Sequence, residues 1–262
     1  MENNIILGDC IEKLGKIPDE SIDLVCIDPP YFNVCKENWD KFNSEEEYLS
    51  WCYKWTEELF RKLKDGGCFY CFGGIGNKNK FIFWDYVKEI SKKYTFCSYI
   101  NWRRFRPKGY KGKHNNWGDV REDIVYLCKG EEPKTHNKQY MNEAGLSSTS
   151  QKRFKETGVG LSCGNVWIDI PEAQLDGGLN RTLDHPSQKP IKLIERIIRA
   201  SSNENEIVLD SFAGSFTTAI ASENLDRQWI CIERELKYCE MGLKKINENR
   251  TKIGKNELST IR

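Results

Sequence analysis

The chain has few histidines, and it has no segment suited to a bilayer. Only three histidines occur in 262 residues, far apart at positions 114, 136 and 185, whereas a metal site needs several ligands at one point. No apolar run approaches the roughly 20 residues that span a membrane, and the first residues do not resemble a signal peptide. We therefore expect a soluble, intracellular (cytoplasmic) protein without a metal and without a membrane partner.

Paired cysteine spacing is also lacking. The eleven cysteines are an odd number and lie mostly inside apolar runs, which indicates reduced core thiols rather than a disulfide framework. The one close pair, Cys68 and Cys71, falls in a predicted strand, where residues three apart point to opposite faces. We interpret both as core residues rather than as part of a redox or zinc motif.

An excess of charge of one sign is absent, because 40 basic residues face 39 acidic ones. A nucleic-acid surface must then be a local patch. Residues 102–113 contain six basic residues, no acid and three aromatics, a pattern that predicts contacts to phosphates. A solvated charged loop is the alternative. The basic residues of this patch are Arg103, Arg104, Arg106, Lys108, Lys111 and Lys113.

Short β-rich runs alternate with amphipathic stretches of helical period. This rhythm predicts an α/β fold, with a mostly parallel sheet covered by helices on both faces. The predicted strands are 4–7, 22–27, 67–72, 96–102, 123–128, 207–209 and 229–232. The predicted helices are 45–63, 78–93, 191–201, 217–224 and 236–247.

The rhythm stops at residues 130–184, which are rich in Gly, Ser, Thr, Asn and Lys. A structureless loop of that length is unusual in a compact domain, so we interpret the stretch as an inserted module. The expected organisation is one domain made of residues 1–129 and 185–250, the insertion at 130–184, and a polar tail at 251–262.

The motif Asp28-Pro29-Pro30-Tyr31 directly follows an apolar strand, at the strand end where open α/β sheets bind ligands. Two prolines stiffen the loop and leave its carbonyls free to accept hydrogen bonds. The exocyclic amine of a nucleic-acid base could donate hydrogen bonds to the Asp28 carboxylate and the Pro29 carbonyl, with Tyr31 stacked on that base. The tetrapeptide alone fits a structural turn equally well.

A second element, residues 207–218, reads as an apolar strand, the acid Asp210, a turn containing Gly214, and a helix start. Such a turn approaches a nucleotide closely. Glu233 ends the next strand about 20 residues later, where an acid can hold ribose hydroxyls. Gly73-Gly74-Ile75-Gly76 also follows a strand, but no acid follows it at a strand end, and we interpret it as a loop.

With Asp28-Pro29-Pro30-Tyr31 ahead of the cofactor turn, the chain resembles the β class of DNA amino-methyltransferases that use S-adenosylmethionine (SAM), and particularly adenine enzymes of the MboII type. The resemblance implies a Rossmann-like fold with circularly permuted motifs, and methyl transfer to N6 of an adenine flipped out of double-stranded DNA. It also implies a prokaryotic or phage-encoded restriction-modification or epigenetic system. A homodimer and a cognate restriction endonuclease stay open as partners.

Three other functions remain to be separated from adenine methylation. N4-cytosine enzymes of this class more often have Ser in place of Asp28, so Asp28 favours adenine. A catalytically silent DNA-binding relative would not bind SAM. RNA methylation would be distinguished by competition between RNA and duplex DNA.

The resemblance also implies cofactor contacts for individual residues. Asp9 and Cys10 are implied at the adenine end of SAM, although Asp9 could simply cap a helix. Ser187 and Lys189 are implied at the methionine end, with a helix cap and a solvated charge as the structural alternatives. The remaining implied cofactor contacts are Asp28, Asp210, Phe212, Ala213, Gly214, Ser215, Phe216, Thr217 and Glu233.

The insertion occupies the place of the family's target-recognition region, and the resemblance implies that Trp39 is near the rim of the active site and contacts DNA. Lys152, Arg153 and Lys155 are candidates for backbone contacts to DNA, and Gln151, Asn165 and Asn180 for base contacts.

Phe216 departs from the family pattern, which usually has Gly there. A bulky side chain resists a positive φ. We expect ordinary helical dihedrals at Phe216, with its ring turned away from the cofactor. Impaired cofactor binding is the alternative.

Overall fold

A computed structural model describes residues 3–34, 41–74, 81–108, 119–141, 148–172, 188–256, 258 and 261, with the backbone alone at 105–108 and 119. In this part of the chain the strands are β1 (Asn4–Leu7), β2 (Ile22–Ile27), β3 (Leu63–Gly73), β4 (Thr95–Lys108), β5 (Asp119–Cys128), β6 (Val166–Trp167), β7 (Ile207–Asp210) and β8 (Gln228–Glu233). The helices are α1 (Cys10–Leu14), α2 (Glu45–Lys62), α3 (Ile82–Ile90), α4 (Ser148–Thr157), α5 (Ile191–Ser201), α6 (Thr217–Asn224) and α7 (Leu236–Lys252).

The strands form one sheet in the order β1-β8-β7-β2-β3-β5-β4-β6. The pairs from β1 to β3 and the pair β4/β6 are parallel, whereas β5 runs antiparallel to β3 and β4. All seven predicted strands are present, because strands covered on both faces are near-continuously apolar. The α/β prediction is therefore confirmed.

Helices cover both faces of the sheet. Side chains of α1, α2 and α3 pack on one face with Val25, Ile27 and Cys71, while α5 packs on the other with Cys26 and Cys68. The two cysteines of the close pair thus point to opposite faces, as predicted, and both are free thiols in the core. No helix in the described ranges is long and apolar enough to cross a membrane.

Two helices went unpredicted, and one predicted helix is shorter. Helix α1 spans only five residues, too few to show a period, and α4 buries no residue and so has no apolar stripe. Helix α3 begins at Ile82, while residues 78–80 of the prediction lie outside the described part. Strand β4 continues through the basic patch to Lys108, paired with Asp119 of β5.

The central pair β2 and β7 positions the site. The chain leaves β2 toward α2 on one face and leaves β7 toward α6 on the other, so the two carboxyl ends meet where the connections diverge. Such a switch point opens a crevice for ligands. Asp28 follows β2 and Asp210 ends β7, so 182 residues of sequence separate two carboxylates that the sheet brings to one edge.

Candidate active site

Asp28 lies in a buried cluster of charged and polar side chains. Its Oδ2 accepts a hydrogen bond from Lys189 Nζ at 2.6 Å, and its Oδ1 lies 2.8 Å from the Tyr31 hydroxyl. Glu122 closes the cluster, with Oε1 at 2.6 Å from Lys189 Nζ and 2.8 Å from the Tyr31 hydroxyl. Two carboxylates therefore share one ammonium and one hydroxyl.

Three distant segments supply this cluster. Asp28 and Tyr31 come from the loop after β2, Glu122 from β5, and Lys189 from the residues just before α5. The loop is fixed from its other side, because the Tyr48 hydroxyl of α2 donates to the Pro30 carbonyl at 3.0 Å. Pro29 is buried.

Burial sets the electrostatics of the cluster. Desolvation alone would lower the pKa of Lys189, but the charges of Asp28 and Glu122 outweigh it, and the pKa lies above its usual value. Lys189 is therefore a cation at neutral pH. Burial first, and then the two carboxylates, raises the pKa of Tyr31 well above its usual value. Tyr31 is thus a neutral hydroxyl, whose single proton can go to only one carboxylate at a time.

A cavity of about 400 Å³, including its open mouth, lies between the ends of β2 and β7. Its wall includes Asp28, Lys189, Asp210 and the turn of residues 212–215. The cavity thus joins the two motifs that the sequence indicates.

The turn after β7 is held by its own neighbourhood. Asp210 accepts hydrogen bonds from Phe212 N at 3.0 Å and from Thr218 Oγ1 at 2.6 Å. Glu233 accepts from Gly214 N and from Glu235 N, each at 2.9 Å. Burial raises the pKa of Asp210 to about 7, and it also raises the pKa of Glu233. Both acids shape the turn.

Phe216 corrects one part of our expectation. Its φ is 60° and its ψ 26°, in the left-handed region, so the prediction of ordinary helical dihedrals is wrong. The ring is turned away as expected: it is fully buried with Ala219 and Trp229, and a Cβ at Gly242 of α7 would overlap it. Phe216 does not line the cavity among the described residues.

Comparison with known proteins adds the family. The sequence profile described as DNA methylase (N6_N4_Mtase) matches residues 22–244. The chain belongs to this DNA methylase family. It is 34% identical to the type II methyltransferase M1.MboII of Moraxella bovis, over 90% of this chain and 93% of that protein. It is 32% identical to the DNA adenine methyltransferase YhdJ of Escherichia coli K12, over 93% of this chain and 82% of that protein.

A solved structure supports the fold of the methylase. The complex of M1.HpyAVI with SAM matches with a TM-score of 0.64 at 24% identity, covering 93% of this chain and 98% of that one. The Rossmann-like methyltransferase fold expected from the motif order is therefore confirmed.

The described residues of the methylase fit SAM, the cofactor that the resemblance implies. Among them, the cavity wall combines the carboxyl groups of Asp28 and Asp210, the hydroxyls of Ser215, Thr217 and Thr218, and the rings of Phe72 and Phe212. Such a mixture suits a ligand with charged, polar and apolar parts. The turn at 212–215 and Glu233 would hold the nucleoside part, and SAM would supply an electrophilic methyl group on a sulfonium.

Other predicted cofactor residues lie near this site or outside the described part. Asp9 is exposed and caps α1 by accepting a hydrogen bond from Ile11 N at 2.9 Å, so it has the capping role that was the alternative to a cofactor contact. Cys10 is buried. Thr217 Oγ1 donates to the Lys189 carbonyl at 3.4 Å and so joins the turn to the segment before α5. Ser215 and Ala213 are buried in the turn. Ser187 lies outside the described residues.

The predicted DNA contacts of the methylase divide into three groups. Arg103 and Lys152 are exposed. Arg104 is paired with Glu172 at 2.9 Å and is largely buried, and Arg153 donates to the Gly160 carbonyl, so neither placement favours a phosphate contact. Trp39, Lys111, Lys113, Asn180 and the side chains of Arg106 and Lys108 lie outside the description.

The base-reading candidates that are described lie at the surface. Gln151 is exposed on α4. Asn165 is also exposed, but its side-chain amide donates to the Tyr99 carbonyl at 3.0 Å.

Sequence reasoning missed Glu122. The available signal was an acidic pair, Glu122 and Asp123, at the start of an apolar run. Both are buried, and such burial requires partners. Nothing local identifies Lys189 as the partner of Glu122.

Proposed function

We propose that this methylase transfers the methyl group of SAM to the N6 amine of an adenine flipped out of duplex DNA. One observation carries the proposal: the loop at residues 28–31 separates two cavities. Asp28 lines the cavity beside the turn at 212–215, whereas Pro29 and Tyr31 line a second cavity. A methyl donor and a methyl acceptor would meet across this loop.

The second cavity suits a planar base. Its wall is largely aromatic, and Phe72 lines both cavities. Bases that are removed from a duplex are read by stacking and by polar contacts to their edges. The aromatic residues lining this cavity are Tyr31, Phe32, Tyr48, Trp55, Phe72, Phe83 and Tyr86.

Asp28 would activate the amine. The nitrogen lone pair of adenine is conjugated with the ring, and hydrogen bonds from N–H to the Asp28 carboxylate and the Pro29 carbonyl favour a tetrahedral nitrogen that can attack. Tyr31 has a single proton and can donate it to Glu122, so Asp28 can hold Lys189 at Oδ2 and accept the amine at Oδ1. As the N–C bond forms, the S–C bond breaks to leave a neutral thioether, and the nitrogen releases its proton to solvent water.

Two observations support adenine over cytosine. Asp28 stands where N4-cytosine members of the class more often have Ser, and the relative YhdJ is named a DNA adenine methyltransferase. A silent DNA-binding relative is less favoured, because the Phe216 ring packs in the core and leaves the cavity open.

The insertion at 130–184 would recognise the target sequence. Helix α4 buries no residue and carries Lys152 at 78% side-chain exposure, which suits contact with a phosphate backbone. Relatives named type II methyltransferases support a place in restriction-modification, with a cognate endonuclease. A homodimer stays a prediction.

The test is incubation with labelled SAM and mixed-sequence DNA, followed by nucleoside analysis. We expect N6-methyladenine. N4-methylcytosine would assign the alternative base, and label competed away by RNA in preference to duplex DNA would assign the other polymer. No modified base, with SAM unbound, would refute the proposal.

A further inference from the structure

We infer that Glu122 is a positioning residue of the methyl transfer, which holds Lys189 and Tyr31 from the side opposite Asp28. The inference rests on the proposed function and adds to it a carboxylate that touches neither base nor cofactor. Its role is to keep the Asp28 oxygens available to the substrate amine.

The placement of Glu122 is determined by the sheet. It lies on β5, opposite Trp102 of β4. The next residue of β5, Asp123, is opposite Gly73 at the end of β3. Its side chain is 6% exposed and that of Lys189 is 8% exposed, whereas the Asp28 side chain is 23% exposed. Of the two carboxylates, Asp28 is the one that faces the cavity.

Asp28 and Glu122 share the donors Lys189 and Tyr31, and this sharing affects which hydrogen bonds Asp28 can accept from the substrate. Lys189 Nζ is 2.6 Å from Asp28 and 2.6 Å from Glu122, so the ammonium divides its hydrogen bonds between two anions. The Tyr31 hydroxyl lies 2.8 Å from each carboxylate and can donate its single proton to only one of them at a time. If Glu122 lost its charge, both donors would turn to Asp28, and its oxygens would be occupied where the amine must bind.

The charge balance points the same way. Glu122→Gln would remove an acidic group from beside the cavity, where a cationic sulfonium would bind. Fixed charges in a buried site act strongly on charge that develops during a reaction.

Glu122 also maintains the charge on Lys189. Burial acts to lower the pKa of Lys189, and Asp28 and Glu122 together raise it. Removal of one of these two carboxylate charges should lower the pKa. The titratable groups that face or adjoin Lys189 in the described structure are Asp28, Tyr31, Glu122, Cys26, Cys71 and Asp210.

The test is Glu122→Gln, which keeps the shape and removes the charge. We expect the single-turnover methylation rate to fall about 10²-fold, the size expected when a reacting group is misplaced. Dissociation constants for SAM and DNA should change less than about threefold. The alkaline limb of the rate profile should move to lower pH, a shift that a merely structural role would not produce.

Asp19→Asn is the matched control. Asp19 holds another buried lysine, Lys62, at 2.6 Å, but it precedes β2 and so lies at the opposite end of that strand from Asp28. The Asp19 side chain is 51% exposed and that of Glu122 is 6% exposed, so the control unpairs a buried lysine without changing a buried carboxylate. It should keep the wild-type rate and pH profile. A rate loss in Asp19→Asn equal to that in Glu122→Gln would show a general effect of unpaired lysines and contradict the inference.

A double variant covers the case in which Glu122→Gln is too unstable to assay. The combination of Lys189→Met and Glu122→Gln removes both charges of the pair, so neither position keeps an unpaired buried charge. If Glu122 acts through Lys189, adding Glu122→Gln to Lys189→Met should slow transfer by less than about threefold.

Three outcomes overturn the inference: a wild-type rate in Glu122→Gln, fully additive losses in the double variant, or lost SAM binding together with lost activity. Absence of N6-methyladenine from the wild-type reaction would count against the proposed function instead.

Discussion

The acceptor and donor sides of the site are built differently. On the acceptor side, the Asp28 carboxylate is held by Lys189, 161 residues away, and shares it with Glu122 of a third segment. On the donor side, Asp210 bonds to Phe212 and Thr218, and Glu233 bonds to Gly214 and Glu235, all within 19 residues. One side is a tertiary assembly and the other is nearly self-contained.

This difference teaches where substitutions should act. The cofactor turn and its helix form together, so changes there should affect folding. The acceptor cluster is imposed on a loop already stiffened by two prolines and held by Tyr48. Changes in that cluster should affect chemistry more than stability.

The largest expected effect is that of Asp28→Asn. Loss of the anionic acceptor should lower the single-turnover rate about 10³-fold, while SAM affinity should fall much less, because Asp28 is only one of the groups that line the cofactor cavity. Rapid-quench methylation and calorimetric titration of SAM measure the two. Equal losses in rate and SAM binding would remove the distinction between the two sides.

Next in size is Phe216→Gly. Relief of the left-handed backbone should return about 1 kcal/mol, and loss of the buried ring should cost about 3–5 kcal/mol, so a net loss of about 2–4 kcal/mol is expected in the free energy of unfolding. Denaturant titration measures this loss. SAM affinity should change little, because the ring lies outside the cavity wall. A large gain in SAM affinity would show that Phe216 obstructs the cofactor.

Gly242→Ala supplies the partner for a double-mutant cycle. Its methyl group would overlap the Phe216 ring, so the single variant should be destabilised by about 1–3 kcal/mol. In the Phe216→Gly background the same change should be neutral or stabilising, because Ala favours a helix over Gly by about 1 kcal/mol. Additive losses would show that the two positions do not share space.

The effect expected at Asp210 depends on pH. Burial raises its pKa from 3.8 to about 7 in the folded chain, so between pH 4 and 7 the folded state binds the proton that the unfolded state has lost. The stability of wild type relative to Asp210→Asn should therefore fall as pH rises, by at most about 1.4 kcal/mol per pH unit, and level off above pH 7. Denaturant titrations across this range measure it. A constant difference would contradict the raised pKa.

The smallest effect is expected at Lys152. Lys152→Ala should weaken DNA binding a few-fold at low salt and reduce the slope of log K against log salt by about 1. Binding measured at several salt concentrations provides the slope. Lys16→Ala, an exposed lysine of the turn after α1, is the control and should leave the slope unchanged.

Much of the fold was predictable because its signals are local. Doubly covered strands are near-continuously apolar, so β2 and β7 are evident in the sequence, as are the motifs at their carboxyl ends. The failures share a cause. Helix α4 has no apolar stripe that would indicate it. The left-handed dihedrals of Phe216 belong to the turn that leads into α6, and the residue type does not indicate them.

The sequence by itself determined which residues could do the chemistry: the stiff loop at residues 28–31 and the acids of the cofactor turn, since stiffness and charge are properties of the residues and their neighbours in the chain. Only the tertiary structure decided what Asp28 faces. The pairing of β5 with β3 and β4 places Glu122 against Lys189, and burial then makes two carboxylates compete for one ammonium. Such a contact depends on strand register and dielectric surroundings, and neither is written in any short stretch of sequence.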